Sequence, residues 1–153
     1  MAKRRRTIGS MRAELIVKSR EAVLTAIRVF NDQQVSFKVR YVNRTDDAWT
    51  YLLHAYYRSK GTEYWYYRQG PKRRIFDRRK HGAYKYWELE RCLNSDQSPV
   101  DRDTANNLRF IVGLRHKIEH QMARSLDGYL SGRYQACAIN YNTYLRKIGR
   151  CQK

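Results

Sequence analysis

Apolar residues recur at intervals of three and four along most of the chain, which predicts an all-α fold of about five helices. The turn-forming residues 95–99 separate the third predicted helix from the fourth. The first three predicted helices cover about residues 11–30, 36–59 and 83–94. The fourth begins near Asp101 or Asp103, and the fifth covers about residues 131–148. Residues 1–10 are predicted to form a basic arm, and residues 11–150 a single helical domain.

The pattern changes between Thr62 and Lys80, where aromatic runs flank the turn residues Gly70 and Pro71. This change predicts a short β-hairpin near residues 62–77, inserted in the helical domain. Its aromatic rings can either stack on bases or cover a core. Its cations can either contact phosphates or only solubilise the surface. We favour contact with RNA for these cations, which are Arg68, Lys72, Arg73, Arg74, Arg78, Arg79 and Lys80.

The fourth predicted helix has charged residues where apolar ones are expected. Its apolar stripe consists of Leu108, Ile111, Val112, Ile118 and Met122. At about 100° per residue, Arg115 and Glu119 fall inside this stripe, and they can pair because they are four residues apart. His116 and His120 lie one above the other along its edge. A buried guanidinium requires a partner, so this stripe holds either a structural ion pair with two surface histidines or a functional site.

The composition points to a polyanionic partner. The chain of 153 residues has 32 Lys and Arg against 14 Asp and Glu, a formal net charge of +18. That excess does not suit an enzyme for neutral small molecules, whereas it suits RNA or DNA. No apolar run approaches the ~20 residues of a membrane span, so we expect no membrane partner. The 3 cysteines lack both zinc-finger and disulfide spacing, which predicts no metal and fits the cytoplasm.

Arg115 and His120 form the pattern Arg, four residues, His on a helix that two asparagines precede. With this motif, the stretch from Asp101 to Met122 resembles the HEPN superfamily of small all-helical nucleases. The resemblance implies a HEPN-like bundle in which Arg115 and His120 are catalytic and Glu119 supports them. Many members have Asn directly after the Arg, where this chain has His116. We assign His116 to substrate binding.

The resemblance also implies an activity. HEPN nucleases pair two such helices across a two-fold axis, so the motifs of both protomers meet in one cleft. The expected enzyme is a homodimeric, metal-independent endoribonuclease that needs no cofactor and leaves a 2′,3′-cyclic phosphate. A histidine with a pKa near 6.5 can transfer the protons, and an arginine can stabilise the developing phosphorane. Its role would be that of a cytoplasmic toxin or antiviral-defence effector in a prokaryote, with an antitoxin or regulatory partner.

Two other functions are open to the same residues. The run from His116 to His120 matches the H-x-x-E-H pattern of a class of zinc metallopeptidases. The only acidic residue after His120 is Asp127, which is too close in sequence for the further ligand that those enzymes use. The other alternative is a non-catalytic RNA-binding domain in which Arg115 and Glu119 form a core ion pair.

Overall fold

A computed structural model of the chain describes residues 8–32, 37–120 and 127–150, with side chains at 11–32, 40–114 and 131–150. These residues contain five α-helices and one two-stranded antiparallel sheet, which confirms the predicted all-α fold with a short hairpin. The elements in chain order are α1 (Ile8–Asp32), α2 (Phe37–Ser59), β1 (Tyr67–Gln69), β2 (Arg74–Phe76), α3 (Leu89–Leu93), α4 (Arg102–His120) and α5 (Asp127–Arg150).

Helix α2 lies at the centre of the bundle, where it contacts α1, α3, α4 and α5. Its apolar stripe recurs at helical spacing, and Val42, Trp49, Leu52 and Leu53 are completely buried. Burying each of these larger side chains stabilises the fold by roughly 1.5–3 kcal/mol. Helical spacing in the sequence predicts an inward stripe on α2 that includes these four residues, and the structure confirms it.

Ser19 ties three helices together. Its hydroxyl is fully buried and donates to the carbonyl oxygen of Ala48 in α2, at 2.6 Å. Since that hydroxyl has only one proton, it accepts its second hydrogen bond from the hydroxyl of Tyr141 in α5, also at 2.6 Å. A small polar residue in α1 thus fixes the position of both neighbouring helices.

Asp101 caps α4 at its first turn. Its carboxylate accepts hydrogen bonds from the backbone N–H of Thr104 at 2.9 Å and from the Thr104 hydroxyl at 2.8 Å. The hydroxyl of Tyr144 in α5 donates to the same carboxylate and accepts from the Asp101 N–H. These bonds lower the pKa of Asp101 to about 2. The start of α4 is therefore fixed both by its own cap and by α5.

Residues 64–87 form a small β-module beside the helices. Strands β1 and β2 pair antiparallel, with Tyr67 opposite Phe76. A third segment closes the module: the Tyr66 N–H donates to the Lys85 carbonyl at 2.9 Å, the Lys85 N–H to Asp77 at 2.9 Å, and the Asp77 N–H to Tyr66 at 3.0 Å. Each of the three segments thus pairs with the other two.

This closure explains why the prediction for the third helix was wrong at residues 83–88. Tyr84 and Tyr86 form bridges with Arg78 and Trp65, so an extended segment occupies the place of the predicted helical turns. Helix α3 covers only Leu89–Leu93. Helix α1 begins at Ile8, so the predicted arm at residues 1–10 has helical backbone at residues 8–10, and residues 1–7 lie outside the described part.

Replacing Asp101 by Ala should lower the free energy of unfolding by about 1 kcal/mol at pH 7, because a helix cap is lost. The folded state lowers the pKa of this carboxyl from 3.8 to about 2, so its contribution is complete above pH 4 and disappears as the pH falls through 2. Urea unfolding of the variant and of the wild type at pH 7, 4 and 2 measures the difference in free energy of unfolding. Asp103→Ala is the control in the same turn, and an equal loss in both variants would contradict the capping role.

Candidate functional site

Helix α4 contains all four residues of the predicted motif. Arg115, His116, Glu119 and His120 lie within its helical backbone, which runs without interruption from Arg102 to His120. Leu108 and Ile111 lie seven and four residues before Arg115, at positions that share its register on the helix. Each is 1% exposed, so these two positions face the core. The side chains of the motif lie outside the described part of the structure, as do those of Ile118 and Met122, so their predicted pairing stays a prediction.

The predicted phosphate-binding cations are all exposed on or beside the β-module. This group comprises Arg68, Lys72, Arg73, Arg74, Arg78, Arg79 and Lys80. Residues 66–85 contain eight Lys and Arg and a single acidic residue, Asp77. The surface of the module is therefore strongly electropositive, as a phosphate-contacting surface requires.

Two of these cations already have partners within the module. Arg74 contacts the Glu63 carboxylate at 2.6 Å and lies 5.1 Å from the Tyr67 ring centroid. Arg78 donates to the carbonyl of Gly82 at 2.8 Å and lies over the Tyr84 ring. The remaining five, Arg68, Lys72, Arg73, Arg79 and Lys80, make no side-chain hydrogen bond or ion pair with the described part of the chain. Those five are the cations best placed to bind phosphates.

Most aromatic rings of the module pack on one another rather than face solvent. Trp65, Phe76 and Tyr84 form a cluster with ring centroids 5.5–6.4 Å apart. Tyr64 is 3% exposed and stacks on Tyr86. Since a base can stack only on a ring face that solvent reaches, these rings serve mainly as the interior of the module. Tyr67, which is 48% exposed, is the exception.

A cavity of about 850 Å³ lies between the helices and the β-module. Helices α1 and α2 supply two of its walls, and residues 86–90 supply a third. Its lining residues are Met11, Glu14, Leu15, Lys18, Asp46, Asp47, Thr50, Tyr51, His54, Tyr64, Arg79, Tyr86, Trp87, Glu88, Leu89, Glu90 and Val112. Five of these are acidic and two are basic, so the cavity is acidic although the chain is strongly basic.

His54 is the buried titratable residue of this cavity. Its Nε2 lies 2.8 Å from the carbonyl oxygen of Trp87, and because a carbonyl only accepts, Nε2 carries the proton. Burial lowers the pKa of His54 to about 4, so the ring is neutral at physiological pH. The ring nitrogen Nδ1 therefore presents a lone pair.

The cavity is also where the β-module and α4 approach each other. Arg79 lines it from the module, and Val112 lines it from α4. Arg115 and His116 follow Val112 by three and four residues along the backbone of α4. The helix that carries the motif therefore borders the cavity at Val112.

Sequence reasoning missed this cavity. Its carboxylates come from three distant parts of the chain, Glu14 on α1, Asp46 and Asp47 on α2, and Glu88 and Glu90 near α3. No spacing in the sequence connects them. Only the unusually polar first half of α2 gave a local signal that this face of the helix does not pack against the core.

Among the side chains that the structure describes, at residues 11–32, 40–114 and 131–150, there is no group of three or more His, Cys, Asp or Glu that could hold a metal ion. No helix within residues 8–32, 37–120 and 127–150 is long and apolar enough to cross a bilayer.

Comparison with known proteins gives one match. A family model described as a domain of unknown function (DUF3644) matches residues 14–151, which is most of the chain. No curated protein and no solved structure matches significantly.

Replacing Arg68, Lys72, Arg73 and Lys80 by Gln should weaken binding to single-stranded RNA and flatten its salt dependence. Each lost phosphate contact reduces the slope of log K against log salt by about 0.7, so four contacts reduce it by about 3. Fluorescence anisotropy between 50 and 300 mM salt measures the slope. The control replaces four exposed cations elsewhere, Arg28, Arg102, Arg146 and Arg150. Equal slopes for the two variants would place the RNA on another surface.

Proposed function

The chain belongs to the DUF3644 family, and we propose that it is a metal-independent endoribonuclease of the HEPN type. One observation carries the proposal. Arg79 of the basic β-module and Val112 of α4 line the same cavity, and Arg115 and His116 come one turn after Val112. RNA held on the module would therefore lie beside the helix that carries the motif.

The proposed roles follow from the chemistry of phosphodiester cleavage. His120 transfers a proton to or from the ribose 2′-oxygen or the leaving 5′-oxygen. Arg115 stabilises the charge that develops on the phosphorane, because its planar fork donates two parallel hydrogen bonds to phosphate oxygens. Glu119 orients Arg115, and His116 contacts the substrate. None of these steps uses a metal ion.

One Arg and one His supply only part of the acid, base and charge that the reaction needs. We propose that a second protomer supplies the rest, with the two α4 helices facing each other across a two-fold axis. Such an enzyme would act as a cytoplasmic toxin or antiviral-defence effector, restrained by an antitoxin or regulatory partner. This part of the proposal rests on the resemblance of the motif.

A non-catalytic RNA-binding domain is the alternative that a specific observation favours. The five unpaired cations of the β-module would suffice to bind RNA without any contribution from α4. The two proposals differ in what happens to the bound RNA, so product analysis separates them.

Cleavage of RNA should persist in excess EDTA and leave 2′,3′-cyclic phosphate and 5′-hydroxyl ends, because the nucleophile is the ribose 2′-oxygen. His120→Ala should reduce the rate by about 10²–10⁴ through loss of proton transfer. Arg115→Lys should also be severely impaired, since a point charge does not reproduce the planar fork. Mass spectrometry of the products and single-turnover rates measure these effects.

His116→Ala is the control on the same helix, and its effect should be smaller. Activity that is lost in EDTA and restored by zinc would instead support the H-x-x-E-H alternative. RNA binding without cleavage under any condition would support the non-catalytic one.

The protein should be a homodimer at micromolar concentration, because each protomer holds only half of the proposed site. Sedimentation equilibrium measures the mass. Reversing the charges of Arg115 and Glu119 singly should weaken the dimer, whereas reversing Glu21 on α1 should not. A monomer that cleaves RNA at the full rate would contradict the composite site.

A further inference from the structure

We propose that the acidic cavity is a binding site for a small organic cation that carries amine or guanidinium groups. The proposal is independent of the nuclease activity. It rests on the size of the cavity, on the excess of acceptors in its walls, and on the orientation of His54.

The size fits a ligand rather than a single ion. A volume of about 850 Å³ lies within the range of roughly 300–1,000 Å³ that is typical of small-molecule sites. The described residues hold no group of three close carboxylates, histidines or cysteines, so the acidic side chains are spread over the walls. Spread carboxylates match separate cationic groups of one extended molecule better than they match a metal ion.

The charges of the described lining residues favour a cation over an anion. Five carboxylates line the cavity against Lys18 and Arg79. Lys18 contacts Glu14 at 4.0 Å, and Arg44, which lies outside the lining, contacts Asp47 at 3.6 Å. The side chains of Glu88 and Glu90 are exposed and form no hydrogen bond or ion pair with the described residues. A bound cation would neutralise these two carboxylates.

His54 gives an independent indication that the ligand is a donor. The residue is only 5% exposed, and its Nε2 is occupied by the Trp87 carbonyl. Its Nδ1 is an acceptor that forms no hydrogen bond with the described residues, and the ring lines the cavity. An ammonium or guanidinium group, which only donates, can supply the hydrogen bond that this nitrogen accepts.

The remaining walls suit the body of an organic cation. Tyr51 and Tyr86, which are partly exposed, line the cavity together with the buried Tyr64, Trp87 and Leu89. Aromatic faces attract cations by about 0.5–2 kcal/mol, and aliphatic stems pack against the same rings. The combination of rings and carboxylates is therefore complementary to a polyamine or to an alkyl guanidinium.

Titration calorimetry of the full chain with spermidine and with agmatine, at 150 mM salt, tests the proposal. We expect one molecule to bind per chain. Tighter binding of spermidine would indicate a preference for amines, and tighter binding of agmatine a preference for a guanidinium group. Glu88→Gln with Glu90→Gln should weaken binding about tenfold, which corresponds to about 1.4 kcal/mol. The matched control is Glu21→Gln with Asp103→Asn, which removes two exposed carboxylates outside the cavity and should leave the affinity unchanged.

A second variant tests the acceptor. His54→Gln keeps an N–H donor for the Trp87 carbonyl but moves the acceptor from the Nδ1 position to a flexible amide oxygen, so it should weaken binding of the preferred probe at least threefold. No binding of either probe at 1 mM would overturn the proposal, as would equal loss in the Glu88/Glu90 variant and its control. Magnesium that displaces the preferred probe stoichiometrically at micromolar concentration would instead identify a metal site.

Discussion

Buried tyrosine hydroxyls impose the constraint on which the helical packing depends. The chain has 13 tyrosines, and four buried ones, Tyr41, Tyr57, Tyr141 and Tyr144, form hydrogen bonds through their hydroxyls to segments distant in sequence. The hydroxyl of Tyr41 in α2 donates to the carbonyl oxygen of Tyr134 in α5 at 2.7 Å. The hydroxyl of Tyr57, also in α2, donates to the carbonyl oxygen of Cys92 in α3. Burial raises the pKa of Tyr57 to about 12, so its hydroxyl remains a donor at neutral pH. An unmatched buried hydroxyl costs roughly 1–3 kcal/mol, so these pairs fix how each helix slides along its neighbour.

The same constraint positions the acidic cavity next to the basic surface of the β-module. Tyr144 fixes the start of α4 through Asp101, and the helix direction then brings Val112 to the cavity. The β-module closes on itself through backbone bonds, so its cations point outward instead of pairing with the helices. A basic surface and an acidic cavity thus lie side by side, and Arg79 belongs to both. The basic surface attracts phosphates, and the acidic cavity attracts cations.

The sequence predicted those features that depend on local periodicity. The core stripe of α2 around Trp49 and Leu52 followed from helical spacing, and the hairpin followed from aromatic runs that flank Gly70 and Pro71. Residues 83–88 were predicted as helix because their aromatics also fit a helical pattern, and only pairing with Trp65 and Arg78 selects the extended form. The cavity depends entirely on contacts between distant segments. The motif itself was found from a spacing on one helix, and the structure confirms only that this helix is continuous.

In the proposed enzyme, one active site uses the motifs of two protomers. Co-refolding wild-type chain with an Arg115→Ala/His120→Ala variant in varied ratios tests it most directly, with RNA cleavage measured at constant total protein. If both motifs are required, activity falls as the square of the wild-type fraction, because only dimers of two intact chains are active. A linear decrease, with each wild-type chain active in any dimer, would contradict the account.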